Sequence, residues 1–415
     1  MENGKFKAIF SIVCFALLMS LATQSTTVAK PLAKITVEAG SYTRVDTPVS
    51  VVLDGVSPSE CLQEIKGSTR IPVIAQLEYS EPTKRLCWIL SGTTESGTKR
   101  VYELVDGSSA FRPDVEVVKN DSFLQLQIGD SEVLRYNHAP VPPPEGTSPL
   151  YTRSGFIHPL WSPAGEVLTW MHPKDHMHHM GLWMPWTHTK FEGREIDFWN
   201  LGKGQGTVRF AEFISTRSGP VFGGFRAIQQ HVDLSAPEGE KVALNEELDV
   251  RLWNADKSNE YWLLDYVSKQ KCASSSPLYL LKHRYSGLGF RATSQWTEDN
   301  SNYLTSEGKT RKDGHATRAR WCNIFGTTEK GPAGIVFMSH PQNYEHPEPM
   351  RIWPEGHVFF NFCPVQKADW TLLPDKDYVL RYRLCIYSGK INAEMAEQFW
   401  QDFAHPPEVK LEKLL

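Results

Sequence analysis

Between residues 32 and 105 apolar and polar positions alternate in short runs: ITVEAG, VSVVLDG, IPVIAQLEYS, LCWILSG and RVYELVDG. Successive side chains of a strand leave opposite faces, so this period of two marks half-buried strands. The turn residues between the runs predict a small β-sandwich over residues 30–108. VEVVKNDSFLQLQIGDSEVLRYNH, residues 115–138, predicts three more strands joined by Asn-Asp and Gly-Asp turns. PVPPPEG follows, and its prolines cannot hold a ladder, so it is an extended loop. Strand follows strand from there: VRFAEFIST, AIQQHVDLS, LNEELDVRLW, YWLLDYVSK, GIVFMSH, VFFNFCPV and YVLRYRLCIYS. Only INAEMAEQFWQDFAH has helical spacing, with Met395, Ala396, Phe399, Trp400 and Phe403 recurring at three and four. Asn392 caps it and Pro406 stops it. So many strands exceed one small sandwich. The expected fold is all-β: the N-terminal sandwich, then a large antiparallel super-sandwich of mutarotase type over 109–415, with one C-terminal helix.

The first 29 residues read differently. Lys5 and Lys7 precede the apolar run AIFSIVCFALLMSLA, and Thr27-Val28-Ala29 offers a small-residue cleavage site. This is the pattern of a secretory signal peptide, so the mature chain is expected in the periplasm or outside the cell. No later run reaches the roughly 18 apolar residues of a membrane helix. Lys+Arg number 44 and Asp+Glu 48, which argues against a nucleic-acid partner. Past residue 29 six cysteines remain, and Cys61 with Cys87 is the candidate disulfide within the N-terminal region; buried free thiols are the equal alternative. The 13 tryptophans suit a large β core and also the faces of sugar rings.

Candidate chemistry concentrates in MHPKDHMHHMGLWMPW, residues 171–186. Read as a strand, it sends His176 and His178 to one face about 7 Å apart, and Asp175 and His179 to the other unless a bulge intervenes. HExxH is absent, and His-x-His is only half of a cupin-type metal set. Acid–base work by imidazoles in an aromatic-walled cleft is favoured; no cofactor is expected, and a divalent metal at His176 and His178 is the lesser alternative. Upstream stand Arg153, His158 and Trp161. Downstream, Asp197-Phe198-Trp199-Asn200 aims Asp197 and Trp199 to one side if extended, and GKGQG reads as a hairpin turn. Farther along come Arg291, Trp321, His340 and Asn343, the last two in a proline-rich loop. No nucleophile elbow or serine triad spacing is present.

Several of these motifs together resemble a known family. RSGFIHPLWSPAGEVLT, DHMHHMGLWMPWTHTKFEGREIDFWNLGKGQGTVRF, HRYSGLGFRA, ARWCN, SHPQN and NFCPVQ look like a bacterial family of unknown function labelled methane-oxygenase-like, or PmoA. The resemblance spans most of residues 110–390. Its motif positions fall on residues 154–159, on Asp175, His176, His178, His179 and Gly181, and on residues 197–200. Met177 stands where the family has proline. The resemblance implies an exported protein of bacteria that digest complex carbohydrates.

These readings converge on an exported carbohydrate-active enzyme, a glycoside hydrolase or lyase acting on an oligosaccharide. His176, His178, Asp175, His179, His158 and His340 form the expected catalytic group. Arg153, Trp183, Asp197, Trp199, Arg291, Trp321 and Asn343 are the expected substrate contacts, with Trp183 and Trp199 as sugar platforms. The alternatives are a non-catalytic glycan-binding protein, a mutarotase-like epimerase and a metal-dependent oxidase.

Overall fold

A computed structural model describes residues 30–414, apart from 81, 108–110 and 257. The expected signal peptide lies outside the described residues. Strands Pro31–Glu38, Leu62–Lys66, Thr69–Val73 and Lys99–Val105 form one sheet of the N-terminal module, and Arg44–Val52, Ala75–Ser80 and Thr83–Thr94 form the other. Ile35, Val37, Leu86, Trp88, Tyr102 and Leu104 fill the space between them. The chain's last strand, Glu408–Lys413, returns to pair antiparallel with Pro31–Glu38. That edge strand comes from sequence far beyond residue 108, and nothing in its local pattern announces the partner.

The rest is the expected large antiparallel sandwich. One eight-stranded sheet runs, in spatial order, Met350–Ile352, Phe359–Phe362, Gly289–Arg291, Leu182–Trp183, Phe156–Leu160, Ser131–Asn137, Phe123–Ile128 and Val115–Lys119. The second runs Gly206–Arg217, Phe222–Asp233, Lys241–Trp253, Tyr261–Cys272, Tyr378–Ser388, Gly331–Ser339, Trp321–Thr328 and Ser301–Thr305. A continuous apolar core lies between them, with Ile157, Leu182, Phe290, Phe360, Leu264, Ile335 and Leu384 among its members. The helix Ala393–Ala404 is capped by Asn392, whose side chain accepts from the Met395 backbone N–H. Its Phe399 and Trp400 pack with Cys87, Ile89, Trp253, Trp321 and Met338. The outer face of the second sheet is therefore covered by the helix and the N-terminal module.

All six cysteines of the described region are free thiols, so Cys61 and Cys87 are not bridged. Cys87 is buried with its thiol pushed up to about 12 by desolvation. GKGQG is not a hairpin: Leu201–Lys203 form a turn of 3-10 helix closed by Gly204. Among the described residues no helix is long and apolar enough to cross a membrane.

Candidate functional site

The outer face of the first sheet is the floor of the site. In register across it stand Ile157, Leu182, Phe290, Phe360 and Ile352, all facing the core. The alternate positions face away from that core: Trp183, Gly289, Asn361 and Arg351 in one row, Arg291 and Phe359 in the next. Gly289 has to lack a side chain, because a Cβ there would meet the Trp199 ring at 2.6 Å. Trp199 thus reaches down to the sheet over Gly289, 5.0 Å from Trp183 between ring centroids.

Over this floor folds the histidine-rich segment, and it is not a strand. Its stem is tied to the sheet: Trp170 N–H donates to Arg291 O, Arg291 N–H to Gly181 O, and Gly181 N–H to Trp170 O. Gly181 sits at φ +75°, and a Cβ there would meet Ile157 O at 2.6 Å. Between the stems His176 N–H donates to Pro173 O and His179 N–H to His176 O, two turns in succession. Pro173 has no N–H for a ladder, and His172 takes φ 50°, so the extended reading of this stretch fails locally. The same-face pairing of His176 and His178 is replaced by a cluster. The ring of His176 lies 5.7 Å from His178 and 4.8 Å from His179, and His178 lies 4.9 Å from His179.

The carboxylate expected to point away turns inward too. Arg291 Nη2 donates to both oxygens of Asp175, at 2.9 and 2.8 Å. Asp175 Oδ2 lies 3.2 Å from His176 Nδ1, an ion-pair distance without hydrogen-bond alignment. The Arg291 side chain is fully buried, whereas Asp175 and His176 keep 43% and 37% of theirs exposed. Arg291 lies between two indoles, 5.1 Å from Trp170 and 5.0 Å from Trp353, which stabilise its charge where water is absent. Burial opposes ionisation of Asp175, but the bond and charge of Arg291, with His176, outweigh it and hold the carboxyl below its ordinary value. Burial, then the neighbouring His176, pushes His178 down to about 4. His179 stacks on Phe359 at 4.8 Å and is lowered well below its usual value by burial, His178 and Arg291. Both rings are neutral near pH 7.

Of the other expected residues, some border this cluster. His158 sits at the loop's stem with Nδ1 2.9 Å from Thr169 Oγ1, lowered to about 4 by burial and by His172. Arg153 is buried below the surface, where burial drops its guanidinium to about 10 in the field of Tyr266 and Glu246. Asp197 is not on a strand. It caps a turn, accepting from the backbone N–H groups of Trp199 and Asn200, from the Asn200 amide, and from Lys203 Nζ at 2.8 Å. Trp183 and Trp199 are 1% and 0% exposed, so they are floor beneath the imidazoles and present no face to a sugar.

Three expectations are corrected outright. His340 packs on Phe403 of the C-terminal helix, Trp321 donates its indole N–H to Glu397 of that helix, and Asn343 donates to Glu348 and to Arg381 O. None belongs to the histidine cluster, because the strand that leads to the 340–348 loop lies in the second sheet. The residues that do wall the cluster include three outside the expected set: Trp170, Trp353 and Phe359. Trp353 packs on His176 at 4.6 Å. The alternation FFNF with its partner strand was the available signal, since it places Phe359 opposite Arg291. Beside the cluster, Thr187, Asp197, Asn200, Lys203, His283 and Tyr285 line an open pocket of about 230 Å³. Tyr285 packs on Trp199 at 5.2 Å, so the pocket and the cluster share a wall. Among the described residues no group of three His, Cys, Asp or Glu side chains is arranged to hold a metal ion.

Residues 124–401 match the model of a family of unknown function, DUF6807, and the chain belongs to that family. No curated protein matches the chain. A crystal structure of the heparan sulfate lyase HepC from Pedobacter heparinus is similar over 69% of this chain, at 8% identity and a TM-score of 0.32. The chain spans 38% of the length of that lyase. A likeness of that size carries no inference about activity.

Proposed function

We propose that this member of DUF6807 is an exported carbohydrate-active enzyme that cleaves a glycosidic bond by acid–base chemistry, with His176 as the proton-transferring group. One observation carries the reading: buried Arg291 holds the carboxylate of Asp175 3.2 Å from Nδ1 of His176, whose imidazole is partly exposed. An ionised carboxylate at Nδ1 favours the tautomer that leaves Nε2 free to take a proton, as in other oriented imidazoles. His178 and His179 supply uncharged hydrogen-bonding partners beside it. The partly buried indoles of Trp170 and Trp353 offer aromatic edges at the rim for a sugar ring.

The chemistry of the cluster favours elimination over the two-carboxylate route to hydrolysis. That route needs a pair of carboxyl groups about 5–9.5 Å apart across the bond. Here Asp175 is committed to Arg291 and Asp197 to its turn and Lys203. In elimination a neutral base removes the proton on the carbon next to a carboxylate. The neighbouring C–O bond then breaks, a C=C bond forms, and the departing oxygen takes up a proton. To test the reading, the purified chain is incubated with a panel of polysaccharides, and new reducing ends and ultraviolet-absorbing unsaturated sugars are followed. Cleavage by the wild type that His176→Ala abolishes supports it. Cleavage that His176→Ala leaves intact sinks the assignment of His176.

A further inference from the structure

Next to the imidazole cluster, the same outer face gathers cations that have no acidic partner. Arg351 stands in the cross-strand row of Asn361, Gly289 and Trp183. It is two residues from Trp353, the ring on which His176 packs, and so about 7 Å along an extended chain from it. Gln366 ties a second arginine to this edge: its Nε2 donates to the carbonyl oxygens of both Arg284 and Met350, each at 3.2 Å. The Arg284 guanidinium lies 5.7 Å from the Tyr285 ring centroid, over the pocket wall. Lys367 follows Gln366 in sequence and is exposed. Arg351 Nη1 lies 3.0 Å from His315 Nε2, a neutral acceptor rather than a counter-ion.

Among the described residues no carboxylate comes within the 4.0 Å of a salt bridge to Arg284, Arg351 or Lys367. Arg351 is partly buried, and its Nε is buried without a hydrogen-bond partner. Burial first, then the charge of Arg284, lowers the Arg351 guanidinium. Burial, then Arg351 and Lys367, likewise lowers His315. The four groups therefore feel one another. Like charges held together at a partly buried edge are costly on their own and become favourable once an anion sits among them. The paired arginines elsewhere in the chain make the contrast. Arg44, Arg251 and Arg383 each have a carboxylate in contact.

We propose that Arg284, Arg351 and Lys367 form an anion subsite of the cleft, and that the glycan it takes is acidic, with a carboxylate or sulfate on a ring bound beside His176. The inference rests on the function proposed above and names the substrate class of that site. Arginine suits the role because its planar fork matches a carboxylate or sulfate with two parallel bonds.

The test is calorimetric titration of the full chain with three sets of oligosaccharides of matched length: neutral, uronate-bearing and sulfated. At least one acidic set is expected to bind about 10-fold or more tighter than the neutral one, with the advantage shrinking as salt rises. Which acidic set gains separates carboxylate from sulfate. Arg351→Gln, and separately the exposed Lys367→Gln, are expected to remove most of that advantage while leaving neutral binding unchanged. Lys367→Gln keeps the test valid if Arg351→Gln unfolds. Neutral and acidic sets binding alike, or an acidic advantage untouched by both variants, overturns the subsite and leaves the proposed cleavage site standing. Binding of none of the three sets overturns both.

Discussion

The two outer faces of the sandwich carry similar side chains and use them in opposite ways. On and around the outer face of the second sheet, five arginines are matched to carboxylates. Arg383 meets Asp265 at 2.6 Å, Arg251 and Arg217 meet Glu78, Arg320 meets Glu397 at 3.0 Å, and Arg44 meets Asp402 at 2.9 Å. Each pair joins a strand, or in Arg320 the residue just before one, to the N-terminal module, to the helix or to another strand. On the outer face of the first sheet two pairs, Arg291 with Asp175 and Lys203 with Asp197, stand among crowded ionisable groups that have no counter-ion. Three imidazoles pack ring on ring, one half-exposed carboxylate leans on a buried guanidinium, and three cations stand without counter-ions. Matched charges satisfy themselves and hold elements in place. Unmatched ones keep their capacity to exchange a proton or accept a ligand, at a cost the surrounding aromatic floor sustains. Under the proposed function, the difference puts structure on one face and chemistry on the other.

That assignment is broken most directly at His176. His176→Ala is expected to lower the cleavage rate by about 10²–10⁴-fold, the range of a positioned acid or base, with little change in unfolding midpoint because the side chain is over a third exposed. A loss of stability equal to the loss of rate would place the histidine among the structural groups instead. The mirror experiment is Asp402→Ala. Arg44 and Asp402 are 2% and 6% exposed, and Asp402 also accepts from Thr47. Removing the acid strands a buried guanidinium, so urea unfolding is expected to show a loss of about 3–5 kcal/mol. The rate per folded molecule should hold. A variant as stable as the wild type would show that the pair contributes nothing net.

The same contrast explains what the sequence disclosed. The strands from 115 to 137, the long strands of the second sheet and the Asn392-capped helix were legible because their alternation or helical spacing is imposed by burial on one face. That the histidine segment would crowd several imidazoles together was legible from their density in the sequence. Its shape was not. A strand and a pair of turns carry the same residues, and only Pro173 hinted at the turns. Period-two reasoning therefore put Asp175 on the far side from His176. The long-range part was hidden for another reason. Arg291 joins Asp175, and His340 goes to the helix, through sheet order, which alternation does not encode. Trp183 and Trp199 show the same limit. A tryptophan's type says that it will cover area, and only the glycine beneath Trp199 says which side of the sheet it covers.

The smallest effect tests a group that belongs to neither set cleanly. Glu348 is fully buried and accepts from Ser339 Oγ, Asn343 Nδ2 and the Tyr382 hydroxyl, yet among the described residues no cation pairs with it. Burial pushes its carboxyl up to about 7, against the lowering by those three donors. Between an unfolded value near 4.5 and about 7, the folded chain keeps a proton that the unfolded chain has released. Its contribution is whole below that window and is lost as pH rises through it. His158 and His178, at about 4, act with the opposite sign, because over roughly pH 4 to 6.5 the unfolded chain holds protons that the folded chain refuses. Stability from these histidines rises with pH where stability from Glu348 falls, and the wild type shows the difference. Glu348→Gln mimics the neutral acid and removes one side of the opposition. The variant's stability is expected to climb more steeply than the wild type's from pH 5 to 6.5, by up to about 1 kcal/mol per pH unit, in parallel urea titrations. Curves that keep a constant separation across that window would mean that Glu348 is ionised in the fold, and so belongs with the matched carboxylates of the second sheet.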